Sequence, residues 1–370
     1  MKGRIILQDG SSRDAEPEAA RALRSAGTFF WLDLEGLDAE ASDFLRNELG
    51  FHPLAVAAAE QFGQRPKVDE YDDFTFFVLH GPGPAFSPET VEVHVFYAAH
   101  QVVTVHRDGC PQLDSACSRL AHHKVSDLSP PEIGVLYVVA DELFDSFFPV
   151  LSDIDDRIDA LEEAILQRPT EEQLGELFTM KRTLVALRKV VTPQRDMFAV
   201  LLSGAQSLPG MTAEDERYFR DLYDHLIRIS DLVDSYRDLM SGALDTHLST
   251  VSNRLNVVMK QLTIIATVFL PLSFLTGFFG QNFGWMVNRL TSFGVFVGAG
   301  IGLQVLVVVA LVVLFRQRGW LTSNGTVPPA SPAKRRRVSL ERRWHVLHVG
   351  PDRRSRLAPP LPVHGESANG

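Results

Sequence analysis

Residues 262–279 read LTIIATVFLPLSFLTGFF and residues 293–315 read FGVFVGAGIGLQVLVVVALVVLF, and neither stretch carries a formal charge. At about 1.5 Å per residue, α-helices of these lengths span roughly 27 and 34 Å, which matches the ~30 Å hydrocarbon core of a bilayer. Two such stretches in succession favour transmembrane helices over the core helices of a soluble protein. The sequence therefore predicts a membrane hairpin at 262–315 with a connecting loop at 280–292.

The charges beside this hairpin predict its orientation. Basic side chains precede the first stretch at Arg254 and Lys260 and follow the second from Arg316 onward, whereas the loop contains only Arg289. By the positive-inside rule, we expect both termini in the cytosol and the loop on the outside.

The residues before the hairpin predict two further regions. Residues 1–130 alternate short β-branched and aromatic runs with helical stretches, which indicates an N-terminal α/β domain. The runs lie at 4–7, 28–34, 74–80, 91–98 and 102–106, and the helical stretches lie near 38–48, 52–61 and 111–122. Residues 131–261 show helical periodicity with few breakers, over about 132–166, about 170–202 and from about 213 onward, so we expect a helical stalk. Its last helix has no proline before Pro271, which predicts one helix of about 65 residues that continues into the membrane.

The net charge of −10 is unevenly distributed along the chain. The tail at 316–370 has 11 Lys and Arg against three acidic residues, which leaves −18 for residues 1–315. The tail is also rich in Pro and Ser and is predicted to be a basic, disordered cytosolic segment. An acidic body argues against a nucleic-acid partner and suits a protein that handles cations.

A stripe of small, polar or acidic side chains, which we call the polar seam, follows the predicted long helix. Steps of alternately four and three residues meet only two bulky apolar side chains in ten positions. The seam consists of Asp245, Ser249, Ser252, Asn256, Met259, Thr263, Ala266, Leu270, Ser273 and Gly277. Unpaired polar groups are unfavourable in hydrocarbon, so several copies of the helix are needed to cover this stripe.

Two interpretations of the polar seam remain open from its periodicity. One is a surface for close packing between transmembrane helices. The other is a pore lined by symmetric copies, with polar rings at Asp245 and Asn256 and apolar constrictions at Met259, Leu262 and Leu270 that gate by dewetting. The carboxylate and the amide ahead of the membrane favour the pore, because a packing surface does not need them.

Gly280-Gln281-Asn282 follows directly after the first membrane stretch. Glycine permits an exposed backbone carbonyl, and a ring of Asn side-chain carbonyls offers neutral oxygens to a hydrated cation. Mg²⁺ dehydrates reluctantly, so capture of the hydrated ion by neutral oxygens suits it.

Several segments, over roughly residues 25–321, together resemble the CorA family of divalent-cation channels. They are FHPLAVAAAEQFGQRPKVDEYDDFTFFVL at 51–79, YFRDLYDH at 218–225, SGALDTHLSTVSNRLNVVMKQLTIIATVFLPLSFLTGFFGQNFG at 241–284 and RGWL at 318–321. The resemblance implies an α+β membrane protein of the cytoplasmic (inner) membrane, with a long helical stalk and two transmembrane helices in a funnel-shaped homopentamer. It implies transport of Mg²⁺, with Co²⁺ and Zn²⁺ as the other candidate ions.

The resemblance also assigns roles by position. It places Gly280, Gln281 and Asn282 in the selectivity filter, and it places the polar seam together with Leu262 along the pore. Asp221 corresponds to a carboxylate that binds regulatory Mg²⁺ between neighbouring subunits. The sequence shows no clear acidic partner for it in the α/β domain, where Glu89 is the one candidate. Cytosolic Mg²⁺ bound there would hold the pore closed.

Departures from the family pattern keep other functions open. Gln281 stands where the family's filter has Met, and the external loop has Arg289 and no acidic residue. Five arginines around a cation entrance would lower the local cation concentration. The alternatives are therefore a Zn²⁺ transporter of the ZntB type and a non-conducting, membrane-anchored Mg²⁺ sensor.

The remaining motifs do not indicate an enzyme, because the sequence has no Gly-rich phosphate loop, nucleophile elbow or HExxH. The spacing of the N-terminal histidines does not converge on a metal and predicts satisfied or exposed side chains at His94, His100, His106, His122 and His123. In the tail, KRRRVSL at 334–340 offers Ser339 as a phosphorylation candidate, although binding of its basic residues to anionic lipid is the favoured interpretation.

Overall fold

The computed structural model describes residues 1–122, 130–204, 208–281, 284–289 and 292–321. The chain divides into two compact units, Met1–Arg254 and Leu255–Gly370. Asn282, Ser339 and the remainder of the predicted tail after residue 321 lie outside the described residues. The first unit contains the predicted α/β domain and most of the predicted stalk, and the boundary between them at residue 130 stays a prediction.

Within the described residues, a mixed seven-stranded sheet forms the centre of the first unit, in the order β2-β1-β3-β7-β6-β5-β4. Only β3 and β7 pair in parallel. The strands are β1 (Gly3–Leu7), β2 (Ser12–Asp14), β3 (Phe30–Glu35), β4 (Lys67–Glu70), β5 (Phe74–Pro82), β6 (Thr90–Ala98) and β7 (Gln101–His106). The central strands are rich in β-branched and aromatic residues, and β5 and β7 are buried along their whole length, as expected for strands covered on both faces.

Helices cover both faces of this sheet. One face packs its apolar side chains against residues of α1, α2 and α3, and the other face contacts α5, α6 and α7. The helices are α1 (Pro17–Ser25), α2 (Ala39–Asp43, followed by a π-helical turn at Phe44–Glu48), α3 (Pro53–Ala59), α4 (Pro111–His122), α5 (Pro131–Asp145), α6 (Phe147–Gln167) and α7 (Glu171–Leu202).

The helical stretch expected at about 132–166 is interrupted at Ser146, between α5 and α6. The hydroxyl of Ser146 donates to the carbonyl of Leu143 at 2.7 Å. Pro149 occupies the first turn of α6, where its missing N–H costs nothing, whereas in the middle of one continuous helix it would remove a hydrogen bond. The apolar pattern at 132–166 thus continues across the end of α5 and the beginning of α6, and the pattern alone does not indicate this break.

Gln194 joins α7 to the sheet through both groups of its fully buried amide. Its Oε1 accepts a hydrogen bond from the backbone N–H of His80 at 2.7 Å, and its Nε2 donates to the His80 carbonyl at 3.2 Å. The pairing between β4 and β5 ends at Val78, so the next backbone groups on that edge of β5, those of His80, have no strand to bind. The side chain of Gln194 takes the place of that strand.

The long helix predicted from the sequence is α8 (Asp215–Phe279), with 65 residues and Pro271 inside it. Its N-terminal part buries an apolar stripe within the first unit, including Phe219, Leu226 and Val233. This part of α8 therefore packs within the first unit.

The second unit contains the end of α8 and the elements that follow it. These are α9 (Gly284–Arg289), α10 (Phe293–Val295), a π-helical segment at Phe296–Gly302 and α11 (Leu303–Gln317). Two helices, Asp215–Phe279 and Phe293–Gln317, are long and apolar enough to cross a membrane. Both predicted membrane stretches fall within them.

Candidate functional site

In the first unit, the polar seam begins with exposed side chains. Asp245, Ser249 and Ser252 all lie on α8 and are exposed, whereas the neighbouring Ala243 and His247 are buried. The first three seam residues therefore face away from the part of the helix that packs within the unit.

In the second unit, the polar seam is exposed along the whole apolar part of α8. The exposed positions are Asn256, Met259, Thr263, Ala266, Leu270, Ser273 and Gly277, and Leu262 beside the seam is 61% exposed. A second stripe on the same helix, turned away from the seam, is partly covered within the unit and consists of Ile264, Thr267, Val268, Pro271, Leu272 and Leu275.

The side chains of the polar seam therefore have no covering neighbour among the described residues of the single chain. The large apolar seam residues Met259 and Leu270 are 61% and 72% exposed. The hydroxyl of Thr263 donates to the carbonyl of Met259 at 2.8 Å, so it is satisfied within its own helix. Asn256 has no comparable hydrogen bond among the described residues. The apolar seam residues are suited to contact with lipid or with another helix, whereas the amide needs a polar neighbour or water.

The candidate filter begins where α8 ends. The backbone N–H of Gly280 donates to the carbonyl of Thr276 at 2.9 Å, and the N–H of Gln281 donates to the carbonyl of Phe278 at 3.3 Å. A Cβ atom at Gly280 would lie 3.1 Å from the Thr276 carbonyl oxygen, which is a tight contact with backbone. Glycine therefore suits this helix end, and both Gly280 and Gln281 are exposed. The third filter residue, Asn282, lies outside the described residues.

A polar contact inside the second unit joins the two candidate spans. The Nε2 of Gln304 on α11 donates to the Oγ1 of Thr276 on α8 at 3.2 Å, and Thr276 in turn donates to the carbonyl of Leu272 at 2.8 Å. Thr276 also holds the N–H of Gly280 through its own carbonyl. Gln304 is thus two hydrogen bonds away from the first filter residue, and the sequence analysis did not single it out.

The described residues contain one group of His, Cys, Asp and Glu side chains with the spacing of metal ligands. Asp141 and Asp145 lie one turn apart on α5, and His225 lies on α8, with one ligand atom of each within 4.8 Å of the others. The His225 Nδ1 lies 3.1 Å from Asp145 Oδ1 and 3.9 Å from Asp141 Oδ1. A nitrogen and two carboxylates are a ligand set that suits Zn²⁺ or Co²⁺, whereas Mg²⁺ prefers oxygen ligands alone.

Neighbouring charged groups shift the pKa values of Asp141 and His225 in this cluster. Arg119 donates to Asp141 Oδ2 at 2.6 Å and to Glu142 at 3.2 Å, which leaves Asp141 Oδ1 facing His225. Burial and the nearby Asp145 raise the pKa of Asp141. The Asp145 carboxylate raises the pKa of His225 against the opposing effect of burial. The cluster therefore favours the protonated form of His225, and a metal ion that used this nitrogen as a ligand would compete with the proton.

The predicted regulatory residue Asp221 lies beside this cluster. It occupies the turn of α8 before His225, its side chain is 51% exposed, and its Oδ2 lies 3.9 Å from the His225 Nε2. The regulatory role of Asp221 stays a prediction, and none of the three cluster residues was predicted from the sequence. The pair Asp141 and Asp145 at i and i+4 was a usable signal, but nothing in the sequence brings α5 to His225.

The N-terminal histidines were predicted to be satisfied or exposed. His94 bonds Glu92 and the Ala59 carbonyl, and the side chain of His100 is 69% exposed. His106 lies 3.4 Å from the buried Asp33, which also accepts from Thr104 at 2.6 Å. Burial opposes the charged form of both partners, but their mutual attraction prevails, so the pKa of His106 is raised and that of Asp33 is lowered. The side chain of His122 and all of His123 lie outside the described residues.

The sequence of the chain is similar to those of known metal-ion transporters. A family model described as "CorA-like Mg2+ transporter protein" matches residues 26–317. The chain is 34% identical over 293 residues to the putative metal ion transporter YfjQ of Bacillus subtilis, which is 79% of this chain and 90% of that protein. It is 33% identical over 313 residues to the cobalt/magnesium transport protein CorA of Thermotoga maritima, covering 84% of this chain and 88% of that protein.

More distant similarities are consistent with these relatives. The zinc transport protein ZntB of Yersinia pseudotuberculosis is 26% identical over 277 residues, which is 74% of this chain and 83% of that protein. Among solved structures, the CorA magnesium transporter of Methanocaldococcus jannaschii superposes with a TM-score of 0.68 at 23% identity, over 86% of this chain and 99% of that chain. The last comparison concerns the fold alone.

Proposed function

The chain belongs to the family of CorA-like Mg²⁺ transporter proteins, and from this membership we propose that it moves Mg²⁺ across the cytoplasmic membrane through a pore formed by five copies. Membership makes it a membrane transporter of divalent cations. The identity of the ion, the number of subunits and the control of the pore are the parts that we propose.

One observation carries the proposal of a pore, which is the exposure of the polar seam. The seam combines an amide with small and hydroxyl side chains and apolar side chains that are 61–72% exposed. Copies arranged around an axis would place Asn256 in a polar ring and Met259 with Leu262 in an apolar constriction. Such a constriction closes by excluding water and opens when the helices move apart.

The filter and the orientation complete the proposed path. With both termini in the cytosol, Gly280, Gln281 and Asn282 would lie at the outer end of α8, where a hydrated cation first meets the pore. Backbone and amide oxygens there bind the ion through its water shell, which avoids the high cost of dehydrating Mg²⁺.

We place the regulatory site at Asp221 together with the cluster of Asp141, Asp145 and His225. The exposed Asp221 carboxylate supplies ligand oxygens on the outside of the stalk, where a neighbouring subunit can complete the coordination. Cytosolic divalent cations bound there would hold subunits together and keep the apolar constriction closed. Loss of the ion would leave the like charges of the acidic residues to repel one another.

The test of conduction is ion uptake into liposomes that contain the purified full chain. We expect Mg²⁺ uptake that does not depend on a pH gradient and that is abolished by Asn282→Ala. The matched control is Asn288→Ala, the same substitution at an exposed position of the same loop, which should leave uptake unchanged. Equal uptake by both variants would contradict the filter assignment, and absence of any flux at low internal Mg²⁺ would favour the non-conducting sensor.

The test of regulation compares two carboxylates on α8. Asp221→Asn should raise the internal Mg²⁺ concentration needed to stop uptake, because it removes a charged ligand. Asp231→Asn removes the same charge from another exposed position of α8 and should leave that concentration unchanged. A shift of equal size in both variants would indicate a general effect of charge and no specific site.

A Zn²⁺ transporter is the second candidate, and two observations favour it. Gln281 replaces the usual Met of the filter, and the cluster beside Asp221 contains an imidazole nitrogen, which Zn²⁺ accepts more readily than Mg²⁺ does. In the liposome assay, Zn²⁺ uptake that follows an imposed pH gradient would support this candidate over Mg²⁺ conduction.

A further inference from the structure

A cavity of about 1360 Å³ lies in the first unit, beside the sheet and against α7 and α8. One wall comes from the segment from Phe62 to Pro66 and from β5 and β6 with the connection between them. The others come from the end of β7 with the residues that follow it, from the side of α7 between Val185 and Pro193, and from Arg237 of α8. The volume exceeds the roughly 300–1,000 Å³ that is usual for small-molecule sites, so a ligand larger than a single inorganic ion fits.

The lining of this cavity is basic although the unit around it is acidic. It contains five cationic side chains, namely Arg65, Arg107, Arg188, Lys189 and Arg237, and three acidic ones, namely Glu89, Glu92 and Asp108. Residues 1–315 carry a formal charge of −18. A local excess of positive charge in such a body concentrates anions at the cavity and repels the cations that the protein transports.

One of the three acidic groups is already engaged by the protein. Glu92 accepts hydrogen bonds from the N–H of Gly63 at 2.5 Å, from the N–H of Gln64 at 3.2 Å and from His94 at 2.7 Å. Burial opposes its charge, but these bonds prevail and lower its pKa. Glu92 thus organises the loop at Gly63 and has little remaining capacity to bind the nearby arginines.

Two of the cationic groups are held in place by one shared carboxylate. Arg188 and Arg237 share a single carboxylate oxygen of Asp234, at 2.9 and 2.8 Å. Two guanidinium groups thereby lie side by side with one negative charge between them, and most of their N–H donors remain available.

The other three cations are still less compensated. Among the described residues, neither Arg65 nor Lys189 has an ion pair with an acidic side chain, and the guanidinium of Arg107 lies 5.0 Å from the ring centroid of Phe62. Guanidinium groups bind phosphate oxygens in pairs of parallel hydrogen bonds, which makes these side chains suited to phosphoryl groups.

A buried imidazole forms part of the cavity wall. His80 lines the cavity, is 3% exposed, and its Nδ1 has no hydrogen-bond partner. Burial lowers the pKa of His80 to about 4, so the ring is neutral and offers one donor and one acceptor. This nitrogen is closed off from the open space of the cavity, so a ligand there would contact the ring of His80 and leave its Nδ1 unpaired.

We propose that this cavity binds a nucleoside polyphosphate, with its phosphates on Arg65, Arg107, Lys189 and the Arg188–Arg237 pair and its nucleoside beside the apolar residues of the lining. The negative charge of the phosphates would be balanced by cationic side chains that come from separate elements of the fold. The apolar side chains of Val185, Ala186 and Pro66 offer a surface for a base, which inorganic phosphate would not use. The cavity contacts α7 and α8, so an occupied site would report the nucleotide content of the cytosol to the stalk.

The experiment is a binding titration of the purified full chain in detergent with ATP, adenosine and inorganic tripolyphosphate, in Mg²⁺-free buffer. We expect saturable binding of ATP, weaker binding of tripolyphosphate and no binding of adenosine. Lys189→Ala and Arg65→Ala should each weaken ATP binding about tenfold, since a hydrogen bond to a charged group contributes about 1.5–3 kcal/mol and 1.4 kcal/mol corresponds to a factor of ten.

The controls separate this site from general charge effects. Arg182→Ala removes a cation from an exposed position of α7 outside the cavity lining and should leave ATP binding unchanged, whereas Lys189→Arg should retain it. Absence of saturable ATP binding at millimolar concentration, or equal losses in Arg182→Ala and Lys189→Ala, would overturn the proposal. Tripolyphosphate binding as tight as that of ATP would overturn the nucleoside part. The measurement does not depend on ion transport, so its failure is distinct from failure of the proposed function.

Discussion

Replacing Met259 by serine tests whether the polar seam forms an apolar constriction. Met259 is 61% exposed in the single chain, and complete burial of a Met side chain contributes about 1.5–3 kcal/mol. Closing a ring around this position can therefore recover roughly 1–2 kcal/mol from each copy. Met259→Ser removes most of that stabilisation from the closed state and places a hydroxyl where water is otherwise excluded.

The assay is Mg²⁺ uptake into liposomes with high internal Mg²⁺, where the proposed regulatory site is occupied and the pore is closed. Since 1.4 kcal/mol corresponds to a factor of ten, the contribution of a single copy already predicts about tenfold more residual uptake, and several copies predict more. The expected change is a loss of closure, so uptake at low internal Mg²⁺ should change much less.

Val258→Ser is the matched control for this prediction. Val258 is 58% exposed, is adjacent in sequence, and lies about 100° around the helix from Met259. If the seam faces the pore, the control should leave residual uptake within about threefold of the unmodified protein, which is roughly 0.6 kcal/mol. Equal increases in the two variants would refute the assignment, because the effect would then come from any loss of apolar surface on the helix.

Three further predictions concern other parts of the structure. The ion pair with Asp33 raises the pKa of His106, so its stabilising contribution is complete below about pH 6.5 and is lost as the pH rises through the higher folded pKa. His106→Gln should therefore show a smaller fall in thermal stability from pH 6.5 to 8.5 than the unmodified chain. An unchanged fall would contradict this prediction. Gln304→Met removes the hydrogen bond to Thr276 at nearly constant side-chain volume and should destabilise the contact between the spans by about 0.6–1.7 kcal/mol. The expected result is faster proteolysis in detergent. Proteolysis at the rate of the unmodified protein would show that this hydrogen bond contributes nothing. Thr170→Ala removes the capping box of α7 and should cost about 1 kcal/mol in thermal unfolding, whereas Thr170→Ser should cost little.

The parts of the fold that were predictable are those with strong apolar patterns. The membrane stretches at 262–279 and 293–315 follow from composition and length, and strand β5 follows from its run of aromatic and β-branched residues. The CorA-like family, the long helix and the N-terminal α/β domain were predicted and are confirmed. The polar seam could be recognised because one helical period connects all its members.

The elements that were missed have polar sequences or depend on distant partners. Strands β2 and β4 read SRD and KVDE, and they lie at the two edges of the sheet, where alternation of apolar residues is not required. The short helix α1 was missed as well. The metal-ligand cluster and the basic cavity draw their side chains from elements far apart in sequence, and only the folded arrangement brings them together. The roles of Asn282, Asp221 and the seam residues remain predictions.

The amide of Gln194 has a consequence for the order in which the chain folds during synthesis. The two residues that it joins are 114 positions apart, and at 5–20 residues per second the ribosome needs roughly 6–23 s to cover that distance. During this interval the edge of β5 at His80 presents a free N–H and a free carbonyl, which is a template for pairing with another strand. Once α7 has been made, the amide of Gln194 occupies both groups and closes this edge to other strands.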